Sequence, residues 1–462
     1  MMTLPRGAAK RFRTVLKKSL MQGEFRGRWP AVVCHARNGE VALEASQGGL
    51  AVRLSLEANG STGALAFRGD VLPQFGGAEV ALDSAAPGRG VARWIDGGVL
   101  KAAEFPTVPA EEVRPFPDEP RLTPMPDGFL AAFADAIHTA AMEHVKAALT
   151  RVLLRGKGGE VVASDSRQLL VQRGFPFPWE DDLLVPRVPA FVARDLAPDG
   201  PAGVGRTTDH VVVRVPPWSF ALPIDTANAF PAIEAVIPRA GASASRLQLD
   251  PADVQRLIDT LPRLPGGGDE HSPVTLDLGR PPAVRAKADG TPAAAEVVLD
   301  RSAAAGPPVR VATDRAHLLR ALALGFTEVL VARPDKAVQC RDRRRIYVWM
   351  PLDAASVVPP GPAVKRVQPA TEPEGVPTGN RRRATFVPAP PANGPAPANG
   401  TPKPPPKLGP AGVIAEATAV RGLLRDAGLR LAGLVRALRQ QQQQTRAVQQ
   451  AVHSLRQLQL EQ

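Results

Sequence analysis

Three stretches of the chain end alike: GVARWIDGGVLKAAEFP (Gly90–Pro106), HVVVRVPPWSFALPIDTANAFP (His210–Pro231) and AVQCRDRRRIYVWMP (Ala337–Pro351). Each reads as two short strands around a turn, closed by an aromatic or Met residue and then Pro. Pro106, Pro231 and Pro351 stand 125 and 120 residues apart. A period this long marks tandem domains of one architecture, not a solenoid of small repeats. Each segment opens with a helical pattern, over Ala8 to Leu20, Gly128 to Ala148 and Ala252 to Leu261. Each carries a second, shorter helical stretch midway, clearest at Asp314 to Leu324. Helix, strands, helix, strands lets two helices cover one face of a sheet. The expected class is α/β (α+β), with three domains of one topology over 1–121, 122–244 and 245–354.

Beyond them the composition changes. Residues 355–410 hold 16 prolines in 56 positions, including PANGPAPANG (Pro391–Gly400) and TPKPPPK (Thr401–Lys407). Proline fixes φ and removes an amide donor, so this stretch reads as an extended, solvated linker. From Gly412 the pattern turns helical. Ala417, Leu424, Leu431, Leu438, Thr445 and Val452 recur every seven residues, with Val420, Ala427, Leu434, Gln441, Val448 and Leu455 three behind each. That seam predicts a coiled-coil helix over 411–462, paired with its own copy or with a partner helix.

At 462 residues the chain is too long for one compact domain. Its two cysteines, Cys34 and Cys340, exclude a disulfide scaffold or a cysteine-based zinc module and suit a reducing cytosol. No run of 18 apolar residues is present, so no membrane span is expected. Met1 to Leu20 is basic and lacks an apolar signal core, and it reads as an amphipathic first helix, with a transit peptide as the alternative. The net charge of +12 is uneven: from Ala355 onward 14 Lys+Arg face five Asp+Glu, leaving +3 for residues 1–354. Walker A, GxGxxG, HExxH and GxSxG patterns are all missing, and the seven histidines fall in no ligand spacing. The sequence therefore argues against an enzyme, and no cofactor or metal is expected.

Four motifs then point to a family. VVASDSRQLL (Val161–Leu170) resembles the ATDGHRLA strand and turn of the bacterial sliding clamp, the beta subunit of DNA polymerase III. AFPAIEAVIP (Ala229–Pro238) resembles its RFPDYxxVLP, IYVWMPL (Ile346–Leu352) its YVVMPM, and GVLKAAEFPTVP (Gly98–Pro109) the end of its first domain. The likeness covers roughly residues 8–352, about three quarters of the chain. The chain departs from the family where Ser166–Arg167–Gln168 replaces Gly-His-Arg, where Ile233 and Ala235 replace Tyr and Arg, and where 110 residues follow Leu352.

The resemblance implies a head-to-tail homodimer ring of three-domain subunits that encircles duplex DNA without reading its sequence. Lys10, Arg11, Arg13, Lys17 and Lys18 on the first helix would face phosphates, with Arg187, Arg194, Arg315 and Arg320 adding charge. It also implies a groove between the second and third domains, lined by Leu149, Ser164, Arg167, Leu169, Pro231, Val236, Val338, Met350 and Leu352. Short linear peptides of a DNA polymerase or repair protein would dock there. The expected function is a cytoplasmic processivity factor for DNA replication. The rival reading is a protein-interaction scaffold of the same fold that does not encircle DNA.

Overall fold

The computed structural model describes residues 1–367, apart from 6, 58–61, 77–78, 110–111, 143–145, 197, 240 and 242–243. Helix α1 (Ala8–Leu20) follows from its pattern. Ala8, Phe12, Val15, Leu16 and Leu20 recur at helical spacing and are all buried, whereas Lys10 and Lys17 are exposed.

The first repeat begins with β1 (Met2–Leu4) ahead of α1 and continues through β2 (Ala31–Arg37), β3 (Glu40–Gln47), β4 (Leu50–Glu57) and β5 (Gly63–Arg68). A 3-10 segment, Gly69–Gln74, leads to β6 (Val80–Ala86), β7 (Arg89–Asp96) and β8 (Val99–Pro106). The second repeat runs β9 (Thr123–Pro124), α2 (Phe129–Thr139), β10 (Arg151–Arg155), β11 (Glu160–Ser164), β12 (Gln168–Arg173) and β13 (Asp182–Pro186). Two 3-10 segments, Pro189–Val192 and Arg194–Leu196, precede β14 (Gly203–Arg206), β15 (His210–Val215) and β16 (Trp218–Pro223). The third runs β17 (Ser245–Gln248), α3 (Pro251–Thr260), β18 (Pro273–Asp277), β19 (Ala283–Lys287), β20 (Ala294–Val298), β21 (Ala303–Ala305) and β22 (Arg310–Asp314). It ends with α4 (Arg315–Ala323), β23 (Glu328–Val331), β24 (Val338–Arg341) and β25 (Arg345–Trp349).

Strand order repeats as well. The four-strand sets are β5-β2-β3-β4, β13-β10-β11-β12 and β22-β18-β19-β20. The closing sets are β1-β6-β7-β8, β9-β14-β15-β16 and β17-β23-β24-β25. Even the cross-strand ion pairs recur, with Glu44 to Arg53 across β3–β4, Glu160 to Arg173 across β11–β12 and Arg285 to Glu296 across β19–β20, each at 2.7 Å.

Consecutive repeats are joined by one rule. The last strand of a repeat pairs antiparallel with the fourth-set edge strand of the repeat before it. Thus β16 pairs with β4, setting Trp218 against Leu54 and Ala221 against Ala51. In the same way β25 pairs with β12, setting Trp349 against Gln168 and Arg345 against Gln172. These joints make continuous sheets of eight and nine strands. The helices follow suit. At the first joint α1 packs on Pro189–Val192 and Arg194–Leu196. Phe12 stacks on Trp218 there at 6.3 Å, and Trp218 Nε1 donates to the Leu196 carbonyl at 2.8 Å. At the second joint, Arg320 of α4 donates to the Asp135 carbonyl at 2.7 Å and to Thr139 Oγ1 at 3.0 Å, at the C-terminal end of α2.

The middle helical stretches differ in kind. Only α4 is an α-helix, started by Asp314, whose carboxylate accepts from the Ala316 amide at 2.7 Å. Gly69–Gln74 contains Pro73 and Pro189–Val192 opens on Pro189, and both stop at a 3-10 turn. Pro73, inside its segment, removes an amide that a longer helix would need, whereas Pro189, at the first position of its own, costs no helical bond and the four-residue run there is simply too short to propagate. The opening helix of the second repeat is also shorter than its pattern suggested, ending at Thr139.

The linker departs from expectation at its start. Residues 354–367 fold back on the third repeat instead of standing free in solvent. Asp353 caps a 3-10 turn, Ala354–Ser356, and the Val358 amide donates to Thr275 Oγ1 at 2.7 Å. A short strand, β26 (Val364–Arg366), then pairs with β20. The rest of the linker, with Arg381–Arg382–Arg383, and the helix expected over 411–462 lie outside the described residues.

Both cysteines are buried, and burial pushes the Cys34 thiol up to about 12. Among the described residues no helix is long and apolar enough to cross a membrane, and no group of His, Cys, Asp and Glu is placed to hold a metal ion.

Candidate partner groove and nucleic-acid interface

Beside the β12–β25 joint lies a cavity of about 210 Å³. One wall is the turn entering β12. Asp165 shapes it: one carboxylate oxygen accepts from the Arg167 and Gln168 amides, both at 2.9 Å, and the other accepts from Gln168 Nε2 at 2.8 Å. Ser164 Oγ donates to the Gln168 carbonyl at 2.7 Å, and Tyr347 Oη donates to Gln168 Oε1 at 2.6 Å. Ser166 sits at φ +80°, a left-handed conformation that glycine adopts without strain. The glycine of the family motif falls at this position. Here the Ser164 and Asp165 side chains hold the turn around a serine, accepting from the Ser166, Arg167 and Gln168 amides.

The opposite wall is the segment from Asp225 to Ile237. Asp225 anchors it, accepting from Arg151 Nε at 2.9 Å and from the Ala227 and Asn228 amides. Burial raises the Asp225 pKa, but the Arg151 bond, the Asn228 and Ala227 donors and the Arg151 charge outweigh it, and the net shift is downward. Farther along, Arg155 pairs with Glu234 at 2.8 Å. Ile233 is buried against a cluster that includes Leu153, Leu169 and Val348.

Seven of the nine groove positions named from sequence line this one cavity: Leu149, Ser164, Arg167, Leu169, Pro231, Val236 and Met350. Val338 does not. It is fully buried in the core of the third repeat, because the alternation of β24 turns it inward opposite Trp349. Leu352 lies beyond the groove, lining an adjoining cavity of about 280 Å³ with Arg167, His271, Asp314, His317 and Met350. The sequence reading missed Phe230 and Ile233, which complete the apolar wall. Ile233 had stood out only as a departure from the family motif.

The rim is apolar and open. Val236 is 46% exposed and Met350 44% exposed, and both rank among the few large hydrophobic side chains that face water. A concave apolar floor with two exposed anchors on its rim suits capture of an apolar side chain. Methionine, flexible and polarizable, adapts to more than one shape.

The basic residues divide into two groups. On α1, Lys10 and Lys17 are exposed while Arg11, Arg13 and Lys18 are half-buried, and the described helix contains no acid. Lys17 Nζ lies over the Trp29 ring at 5.1 Å. Arg194 is exposed on the 3-10 segment packed against α1. The other three arginines turn inward, against expectation. Arg315 is 4% exposed and donates to the Leu264 and Pro265 carbonyls. Arg187 Nε donates to the Ile137 carbonyl at 2.7 Å, and burial lowers its pKa. Arg320 bonds α2, as described above. Buried carbonyls left without a donor are costly, and these guanidinium groups satisfy them.

No family model matches the sequence, and no curated protein matches it either. Solved structures do. The DNA polymerase sliding clamp of Bacillus subtilis aligns with a TM-score of 0.63 at 13% identity, over 76% of this chain and 99% of the clamp. The sliding clamp of Pseudomonas aeruginosa gives 0.60 at 15% identity over 76% and 99%. A putative DNA polymerase III beta subunit from Eubacterium rectale gives 0.61 at 12% over 76% and 100%. At such identities the likeness speaks for architecture alone: residues 1–367 have the fold of the bacterial DNA polymerase sliding clamps.

Proposed function

We propose that this chain is a sliding-clamp-like processivity factor: a cytoplasmic, non-catalytic protein that encircles duplex DNA as a head-to-tail ring and tethers DNA polymerases or repair proteins by short peptides. The observation that carries this reading is the joining rule. Two joints of one kind, β4–β16 and β12–β25, link the three repeats. The same rule leaves β8 at one end and β20 at the other for further copies. Heterologous contacts of that sort close into a ring when the rotation closes. The basic face of α1 with Arg194 supports sequence-blind phosphate contacts, which let a ring slide. The cavity beside the β12–β25 joint supports the peptide groove, whose value to a partner is a raised effective concentration on DNA.

A ring leaves a topological signature. The purified protein, loaded on a closed circular plasmid, is retained through gel filtration in high salt and is lost once the plasmid is linearised. Equal loss from circle and line refutes encirclement. One observation favours the second reading, a scaffold of this fold that does not encircle DNA: the edge of β20 is already covered by β26.

A further inference from the structure

The covering of β20 differs from every other strand pairing among the described residues. β26 runs parallel to β20, the one parallel pairing among the described strands, with Ala294 against Val364, Ala295 against Lys365 and Glu296 against Arg366. It is short, three pairs, where the two joints between repeats use four and five. The Val367 amide donates to the Glu296 carbonyl at 2.8 Å, while the Ala294 amide reaches the Ala363 carbonyl only at 3.5 Å. Lys365 and Arg366 are exposed, and Val364 and Val367 only half-buried.

The edge it covers is the one the joining rule assigns to a neighbour. β4, β12 and β20 hold the same place in their repeats, and the first two are joined there by β16 and β25. The strand equivalent to β16 and β25 in the first repeat is β8, which has eight residues and whose outer edge is unpaired among the described residues. Its end of the sheet is conspicuously apolar: Ile95, Val99 and Leu100 are 65%, 60% and 69% exposed. A long, exposed, apolar edge strand pairs with another strand when one is offered.

We propose that β26 is a gate: a strand of the chain's own tail that occupies the seat of a second copy's β8, so that copies join only when the tail strand leaves. This deepens the ring reading and rests on it for the partner's identity. Exchange replaces a three-pair parallel contact with an antiparallel contact along β20, at a strand position that the molecule joins in this way twice already. The gate is the last described element before 95 further residues, 368–462.

The test reads self-association of the full-length chain without DNA. Lys365→Pro/Val367→Pro removes one amide of β26 and the amide just after it, which is bonded to the Glu296 carbonyl. Sedimentation across concentration is expected to show this variant associating at a midpoint at least tenfold below that of the unsubstituted chain. Leu100→Lys/Ala102→Lys, on β8, is expected to abolish that gain. An unchanged midpoint, or a gain that survives the β8 lysines, overturns the gate. A second variant guards against misfolding: Ala295→Cys/Lys365→Cys, oxidised, locks β26 in place, and its buried native thiols stay out of reach. The locked chain is expected to show no β8-dependent association until reduced, and β8-dependent association while locked overturns the proposal. Failure of the ring reading looks different. A gate-open variant that joins through β8 yet leaves circular and linear plasmid alike refutes encirclement and leaves the gate standing.

Discussion

Replacing Met350 and Val236 by alanine tests the groove with little disturbance to the fold. Both side chains stand nearly half exposed on the rim, at 44% and 46%, so neither is a keystone of the core. Fully burying a Val or Met side chain stabilises by about 1.5–3 kcal/mol. A docking peptide buries roughly the exposed half of each, so each truncation loses about 1 kcal/mol on binding. The pair together loses about 2 kcal/mol, which is about 30-fold in Kd. Fluorescence anisotropy with a labelled hexapeptide carrying Leu and Phe anchors measures it, and thermal melts of the same samples confirm an unchanged fold. A loss under about threefold, with melting unaltered, refutes the reasoning, because the rim would then contribute nothing to the occupant.

Two further outcomes are expected. Asp225→Asn loosens the groove wall, and the stability difference from the unsubstituted chain is pH-dependent: because the folded pKa of Asp225 is depressed, its contribution is full above the unfolded value of about 3.9 and is lost as pH falls through the folded value. Urea melts at pH 7 and pH 3 read this, and a difference that is constant or grows in acid contradicts it. Lys10→Gln/Lys17→Gln, both exposed on α1, is expected to weaken duplex binding equally for all sequences and to flatten the dependence of log K on log salt by about 2, near 0.9 per lost contact. An unaltered slope places the DNA contacts elsewhere.

The repeat was legible because each closing hairpin is followed by an aromatic or Met residue and then Pro: Phe105–Pro106 within the end of β8, Met350–Pro351 directly after β25, and Phe230–Pro231 some way beyond β16, which ends at Pro223. Helix α1 was legible because Phe12, Val15, Leu16 and Leu20 hold one face against five cations on the other. The midway helices were less so, since two of them are 3-10 segments of six and four residues, too short to carry a periodic signal. In the groove, the motif residues around Ser164–Leu169 and Pro231–Val236 carried the reading. Strand alternation, invisible in one short strand, decided the fate of Val338. The inward contacts of Arg187, Arg315 and Arg320 could not be read from sequence, because their acceptors are carbonyls 50, 51 and 185 residues away, which leave no local trace. Strand β26 was hidden for another reason: three residues in a proline-rich stretch gain their conformation only from the edge they meet.

The cavity by β12 draws on two repeats at once, with Leu169 from one side and Val348 and Met350 from the other. An occupant therefore binds the seam as well as the surface. Parting β12 from β25 destroys the site, so any ligand adds its own free energy to that seam, about 2.7 kcal/mol at a hundred times its Kd. The occupied molecule is toughened at this internal seam, and on the ring reading proposed above the contacts between copies gain nothing from the same ligand. A cargo so placed acts as a fastener on the body that carries it, and a ring bearing cargo would open only where no cargo sits.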